Sequence, residues 1–265
     1  MRARIAGLLL LVLNVVQSGI ADDAPPLNRA HAHNDYEHAR PLFDALDHGF
    51  CSVEADIYLV DGKLLVAHDR GEVNSARTLQ SLYLDPLRKR VETNGGTVYP
   101  RGPEFTLLID IKSDATKTYA ALREVLEKYR SMLTEFHTNR TTVKGLTIIL
   151  SGNRPIKDLT AEPMRLAGID GRLSDLDAAA SRHLVPWISD NWQNHFKWRG
   201  QGNLSANEKE KLLGIVQRVH ERAQKLRFWA TGDSEDFWRE LRAAGVDYIN
   251  TDDLGGLEKF LRTPR

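Results

Sequence analysis

Between His31 and Asp69 the chain crowds together side chains that move protons and hold hard cations. The stretch contains His31-Ala-His33-Asn34-Asp35, then Cys51-Ser-Val-Glu54-Ala-Asp56-Ile, then Leu64-Leu-Val-Ala-His68-Asp69. A desolvated carboxylate is costly unless it is paired or bound to metal, so acids inside apolar, strand-like runs demand a partner. Glu54 and Asp56 are two apart, which on a strand puts both on one face. Two acids on one face repel each other unless a cation lies between them. Carboxylate oxygens suit Mg2+ or Ca2+ better than a thiophilic metal. Asp110 closes the apolar run Phe105-Thr-Leu-Leu-Ile109 and is the third candidate ligand of one divalent cation. His33 and His68 bracket the acidic pair in sequence and titrate near neutrality, which makes them the candidate acid and base. His31 shares a strand face with His33, and alternation leaves the first catalytic position open between the two.

Other residues carry weaker signals. Lys112 shares a face with Asp110, so it can meet a phosphate oxygen or simply pair with a neighbouring acid. Asn34, Trp229 and Asp252 are candidate substrate contacts, and Asp69 is a candidate to orient His68. Asn153-Arg154 and Asp190-Asn191-Trp192 follow apolar runs, where a solvated loop is the competing reading. Trp229 reads equally as a pocket wall. Cys51, the single cysteine, starts a strand pattern and reads as a buried apolar residue. With one cysteine there is no internal disulfide, so stability must come from a core.

The order His, then Glu-x-Asp, then His-Asp resembles the superfamily that includes glycerophosphodiester phosphodiesterases, phosphatidylinositol-specific phospholipases C and spider-venom-type phospholipases D. The opening His31-Ala-His33-Asn34-Asp35-Tyr36 is similar to a subgroup with His-x-His-Asn-Asp-Tyr, not to the His-Arg-Gly of the glycerophosphodiesterases. Asn34 stands where those enzymes have arginine. The resemblance implies a (β/α)8 barrel and a third carboxylate on the strand of Ile109-Asp110-Ile111-Lys112. It favours His33, which directly follows the first strand, as the first catalytic histidine. It also implies catalysis in which a substrate hydroxyl commonly attacks phosphorus to give a cyclic phosphate.

The elements that must position these residues are legible as a pattern. Strands are expected over 28–33, 52–57, 105–111, 145–150, 168–173, 184–189, 227–231 and 246–251, mostly alternating with helices. The helices expected are 40–48, 78–91 with Pro86 as a break, 115–136, 205–226 and 234–245, with a last short one after strand eight. Asp61-Gly62 is a hairpin signal that turns His68 back toward strand two. Eight strands with alternating helices predict a single-domain α/β fold of the TIM-barrel, (β/α)8, type, with chemistry at the C-terminal strand ends.

Residues 1–21 read as a secretory signal peptide: Arg2 and Arg4 lead an apolar run to Val16, and Gly19-Ile-Ala21 gives small residues before the cut. The run is shorter than the roughly 20 apolar residues of a spanning helix. Cleavage leaves a barrel over 22–265, 244 residues long, and a secreted or periplasmic location. The charges balance, 36 basic against 36 acidic, which argues against nucleic acid as a partner. No protein partner is implied; the expected partner is a small-molecule or lipid phosphodiester, with transient contact to a membrane surface compatible. The expected function is a metal-dependent phosphoric diester hydrolase acting on a glycerophosphodiester or phospholipid headgroup by His/His acid–base catalysis. Two rivals stand beside it. An amidohydrolase- or polymerase-histidinol-phosphatase-like hydrolase would use His31-x-His33 as metal ligands. A non-catalytic barrel would bind phosphates or sugars without turnover.

Overall fold

The structure is a computed structural model and describes residues 24–178 and 180–263. The expected signal peptide therefore lies outside the described residues. Eight parallel strands follow one another around a sheet: β1 (Leu27–Ala32), β2 (Phe50–Val60), β3 (Phe105–Ile111), β4 (Leu146–Gly152), β5 (Gly168–Gly171), β6 (Trp187–Asn191), β7 (Lys225–Trp229) and β8 (Tyr248–Thr251). β1 pairs with both β8 and β2, which closes the sheet into the expected barrel. Strands of such a barrel are buried on both faces and read as nearly continuous apolar runs. On β2, Val53, Ala55 and Ile57 are fully buried on the face opposite Glu54 and Asp56.

The helices are α1 (Phe43–Asp47), α2 (Asp85–Thr93), α3 (Ala115–Glu127), α4 (Ile156–Ala161), α5 (Trp192–His195), α6 (Ala206–Glu221), α7 (Glu235–Ala244) and α8 (Leu254–Arg262). The side chains of Asp114, Ser205, Ser234 and Asp253 cap α3, α6, α7 and α8 by accepting a backbone N–H in the first turn. Gly245 ends α7 at φ 89°, the left-handed conformation that a glycine adopts without strain.

Several expected boundaries move, each for a physical reason. α3 stops at Glu127, well short of residue 136. Tyr129, Met132 and Leu133 continue the apolar spacing but are buried in turns. Phe136 lies instead in a strand, Glu135–His137, of a small antiparallel sheet with Thr141–Thr142 and Met164–Arg165. It packs with Leu108, Ile149, Trp187 and Tyr248, and Trp187 and Tyr248 begin their strands, so this cluster plugs the base of the barrel. β6 starts at Trp187, not Leu184; Pro186 has no N–H to give a ladder. α6 ends at Glu221, which frees Lys225 and Leu226 to open β7. Pro86 falls in the first turn of α2, where it needs no N–H partner, and follows a widened turn over Gln80–Leu84. Between β5 and β6 the described residues form no α-helix, only a tight helical turn, Leu173–Asp177, and a second turn closed on Ser181 O by the N–H groups of Leu184 and Val185.

The hairpin after β2 forms as expected. Asp61 (φ 47°) and Gly62 (φ 75°) are both left-handed, as a two-residue turn matched to strand twist requires. The returning strand Lys63–Val66 pairs antiparallel with β2, from Val60↔Lys63 to Ile57↔Val66.

Candidate active site

Parallel register sets Asp56 on β2 beside Asp110 on β3, with Glu54 two residues below Asp56 on the same inward face. One oxygen of each of these three acids lies within 4.8 Å of the others. Lys112 Nζ stands 3.1 Å from Asp56 Oδ2 and 3.2 Å from Asp110 Oδ1. Asp56 Oδ1 is buried without a hydrogen-bond partner. Burial, then the Glu54 charge, push the Asp56 carboxyl up to about 6 against the pull of Lys112. The Asp110 carboxyl is raised in the same way, first by burial, with Lys112 opposing. Hard oxygen donors converging around an orphaned carboxylate oxygen fit a divalent cation such as Mg2+ or Ca2+.

Beneath the acids runs a buried polar layer. Arg227 Nη1 donates to Glu54 Oε2 (2.9 Å), Asn250 Oδ1 (3.0 Å) and His31 Nε2 (2.7 Å), and its Nε donates to Ser189 Oγ (3.2 Å). Arginine never gives up its proton in this setting, so His31 Nε2 must be the acceptor. The proton of His31 then sits on Nδ1 and is donated to Ser52 Oγ at 2.7 Å. His31 Nε2 has no proton left for Glu54 Oε2, 3.3 Å away. Burial first, then Arg227, bring the His31 pKa down to about 4. Glu54 goes the other way: burial works against ionisation, but the Arg227 charge first, then His33, outweigh it and hold the carboxyl well below its ordinary value.

At the mouth the two remaining histidines are held differently. His33 follows β1, and its Nδ1 lies 2.8 Å from Asp252 Oδ1, beyond the end of β8. Burial lowers the His33 pKa, but the hydrogen bond and charge of Asp252, with Glu54, raise it on balance. His68 ends the hairpin arm, with Nδ1 2.8 Å from the Tyr36 hydroxyl and 3.4 Å from Asp56 Oδ2. Each ring is thus engaged through Nδ1. Asn34, left-handed at φ 46°, contacts both His33 and Tyr36.

Thus the structure brings Glu54, Asp56, Asp110 and Lys112 together and sets His33 and His68 above them. It places His31 in the barrel interior, locked by Arg227. Asp252 meets His33 directly. Asp69 does not orient His68: it is exposed, and its N–H donates to Glu72 Oε2 in the next turn. That role falls to Tyr36. Trp229 ends β7, half-buried, with no contact to the acids or histidines among the described residues. Asn153 and Arg154 brace loops, donating to Ser113 O and to Asp170 O and Asp175. Sequence reasoning missed Tyr36 and Arg227. Arg227 had one available signal, a charge two residues before Trp229 on an apolar strand, where a lone cation needs an acid.

A closed parallel barrel with clustered acids and paired histidines at its C-terminal mouth defines a hydrolase of the phosphodiesterase class. The family described as "AIM6-like phosphodiesterase domain" matches residues 19–166, from β1 to the hydrogen-bonded approach to β5, and the chain belongs to it. The family described as "Glycerophosphoryl diester phosphodiesterase family" matches residues 225–255, which carry Arg227 and Asp252. The chain is 31% identical to "Altered inheritance of mitochondria protein 6" of Eremothecium gossypii, covering 92% of this chain and 73% of that one. It is 27% identical to the homologue from Arthroderma benhamiae, over 87% and 82% of the two chains. Among solved structures, a glycerophosphodiester phosphodiesterase from Agrobacterium tumefaciens superposes with TM-score 0.52 at 16% identity, covering 88% of this chain and all of that one. A phosphodiesterase from Oleispira antarctica, solved with its product sn-glycerol-3-phosphate, gives 0.53 at 14% identity, over 89% and 98% of the two chains. These two show the shared fold.

Proposed function

We propose that this chain cleaves a glycerophosphodiester or phospholipid headgroup by metal-dependent acid–base catalysis. The observation that carries this is the pair of imidazoles, each tied to the protein through Nδ1 beside a cluster of three acids, which leaves Nε2 of each for substrate. Glu54, Asp56 and Asp110 would hold the divalent cation. When bound, that cation supplies Lewis-acid polarisation of the phosphoryl group. His33, whose imidazolium is stabilised by Asp252, suits the base that takes a proton from the attacking hydroxyl. His68, entering the reaction as imidazolium with both nitrogens protonated, gives its Nε2 proton to the leaving oxygen and is left as the Nδ1–H imidazole. Lys112, already between Asp56 and Asp110, offers a positive charge to the phosphate. The leader-like residues 1–21 support a secreted or periplasmic location as part of this reading.

The amidohydrolase-like alternative loses support from one contact. It needs His31 and His33 on one metal, whereas His31 Nε2 accepts from Arg227.

The test is hydrolysis by protein starting at Asp22 of glycerophosphodiesters, phosphatidylinositol and lysophospholipids, with chelator and then with Mg2+ or Ca2+ restored. Chelator-sensitive cleavage rescued by a hard cation is the expected result. Cation binding with no cleavage of any substrate would leave a binding-only barrel.

A further inference from the structure

Tyr36 occupies a junction that the reading above does not use. Its hydroxyl lies 2.6 Å from Asp56 Oδ2, 2.8 Å from His68 Nδ1 and 2.8 Å from the Asn34 side chain. A phenol has one proton to donate and two lone pairs to accept with. The shortest contact is to a carboxylate, in the range of a charge-assisted O–H···O bond, so the proton goes to Asp56. The other two neighbours must then donate to the phenol oxygen. His68 does so only with its proton on Nδ1. Asn34 does so only with its amide nitrogen toward Tyr36, that is, with the oxygen and nitrogen drawn in the structure interchanged; such an assignment is settled by the hydrogen-bond network.

His33 gives the same answer from the other side. Its Nδ1 must carry a proton to reach Asp252 Oδ1 at 2.8 Å, yet Asn34 Nδ2 as drawn points a second donor at it from 3.0 Å. With the amide interchanged, Asn34 presents its oxygen to the His33 Nδ1–H and its nitrogen to Tyr36. Every donor along the line from Asp252 through His33, Asn34 and Tyr36 to His68 and Asp56 then has an acceptor; what the interchange gives up is the long 3.5 Å contact of Asn34 Nδ2 with Asp252 Oδ1.

We propose that Tyr36 is a positioning residue: its hydroxyl, held by Asp56, fixes His68 in the Nδ1–H tautomer with Nε2 toward substrate and, through Asn34, sets His33 likewise. The proposal rests on the acid–base reading of the site. It means that Asp56 and both proton-transferring rings form one hydrogen-bonded unit.

The test is Y36F. Phenylalanine keeps the ring, whose plane lies 19° from that of His68 at a centroid distance of 6.3 Å, and removes only the hydroxyl. The tautomer is read from imidazole 15N shifts well above the ordinary histidine pKa of about 6.5, with His68 assigned among the nine histidines by its absence in H68Q. The expected result is His68 protonated on Nδ1 in the native protein and predominantly on Nε2 in Y36F. The variant's kcat should fall about 10- to 100-fold with KM nearly unchanged, the usual effect of losing a group that orients a reacting one. A His68 protonated on Nε2 in the native protein, or a tautomer unchanged in Y36F, overturns the proposal; so does an unchanged kcat. If Y36F does not fold, the native spectrum alone decides. Failure of the native protein to cleave any phosphodiester overturns the acid–base reading, while the spectrum still decides what Tyr36 does.

Discussion

Two layers of the barrel, two residues apart along β1, use the same residue type in opposite ways. In the lower layer His31 is fully buried and meets Ser52 and Arg227, while Glu54 and Asn250 share the same guanidinium. In the upper layer His33 and His68 keep 26% and 49% of their side chains exposed, and each is held at one nitrogen. The upper acids differ from Glu54 too: it is held ionised by a full arginine, while Asp56 and Asp110 share one lysine and are pushed toward neutrality. A buried ring with both nitrogens taken, as in His31, is scaffolding; a group with a valence to spare, Nε2 of His33 and His68 or the second oxygen of Glu54, is positioned for chemistry. The step between the two is roughly 6–7 Å of strand.

The largest expected difference between the layers is in kinetics. H33A and H68A should each lower kcat/KM by about 10^2- to 10^4-fold, the usual worth of a general acid or base, while urea unfolding changes little. Native-like rates in both variants would dissolve the distinction. The reverse pattern belongs to the lower layer. R227M leaves the Glu54 carboxylate buried without its cation, and breaking a buried pair from one side costs about 3–5 kcal/mol. A midpoint shift in urea checks this, and an unshifted midpoint would mean that water reaches Glu54 freely.

The upper acids should answer to a cation. Chelated protein given Mg2+ or Ca2+ at about 100 times the dissociation constant should gain about 2.7 kcal/mol. D56N should abolish the upward shift in melting temperature.

Asp35 sharpens the contrast as a buried acid whose only hydrogen-bond partners among the described residues are neutral donors, the Leu42 N–H (2.6 Å) and the Tyr83 hydroxyl (2.8 Å). Burial drives its carboxyl up to about 7 against those two hydrogen bonds. An acid whose folded pKa exceeds its unfolded value binds more protons when folded. Its contribution is full below about pH 4 and is lost as pH rises through about 7. D35N should flatten that decline, stabilising the protein above pH 7 by about 1–2 kcal/mol while changing little near pH 4. Parallel pH–stability curves for D35N and native protein would show that Asp35 titrates as in water.

Much of the barrel was legible because apolar runs with acids at their ends occur at its strand ends. β3 was read from Phe105 to Ile111, and the Asp61-Gly62 turn, the Ser234 cap and the Gly245 stop came from local chemistry. Glu54 and Asp56 were legible as a pair because alternation within a strand is local, and Asp110 because an acid closing an apolar run needs a partner and the resemblance implies a third carboxylate there. What crosses the barrel was not. Arg227 is 173 residues from Glu54 and Asp252 is 219 from His33. No periodicity carries a partner over such a distance. That is why His31 and His33 stayed tied from alternation alone, and why Asp252 looked like a substrate contact. Phe136 was misplaced for a related cause: helical spacing of buried residues persists through the turns after Glu127.

His68 is carried to the site by the antiparallel arm and not by a strand of the parallel barrel. It hangs on an arm whose length is set by an obligate two-residue turn and four antiparallel pairs. This makes the reach of one reactive ring adjustable apart from the rest. Removing Gly62 slips the register, turns Leu65 and Val66 outward and withdraws His68 from Tyr36; the segment beyond is tied to the same arm, since Arg77 O accepts from the Val66 N–H and Arg77 Nη2 donates to Tyr36 O. The placement of His68 is therefore set by a hairpin and its Arg77 tie, not by the barrel strands.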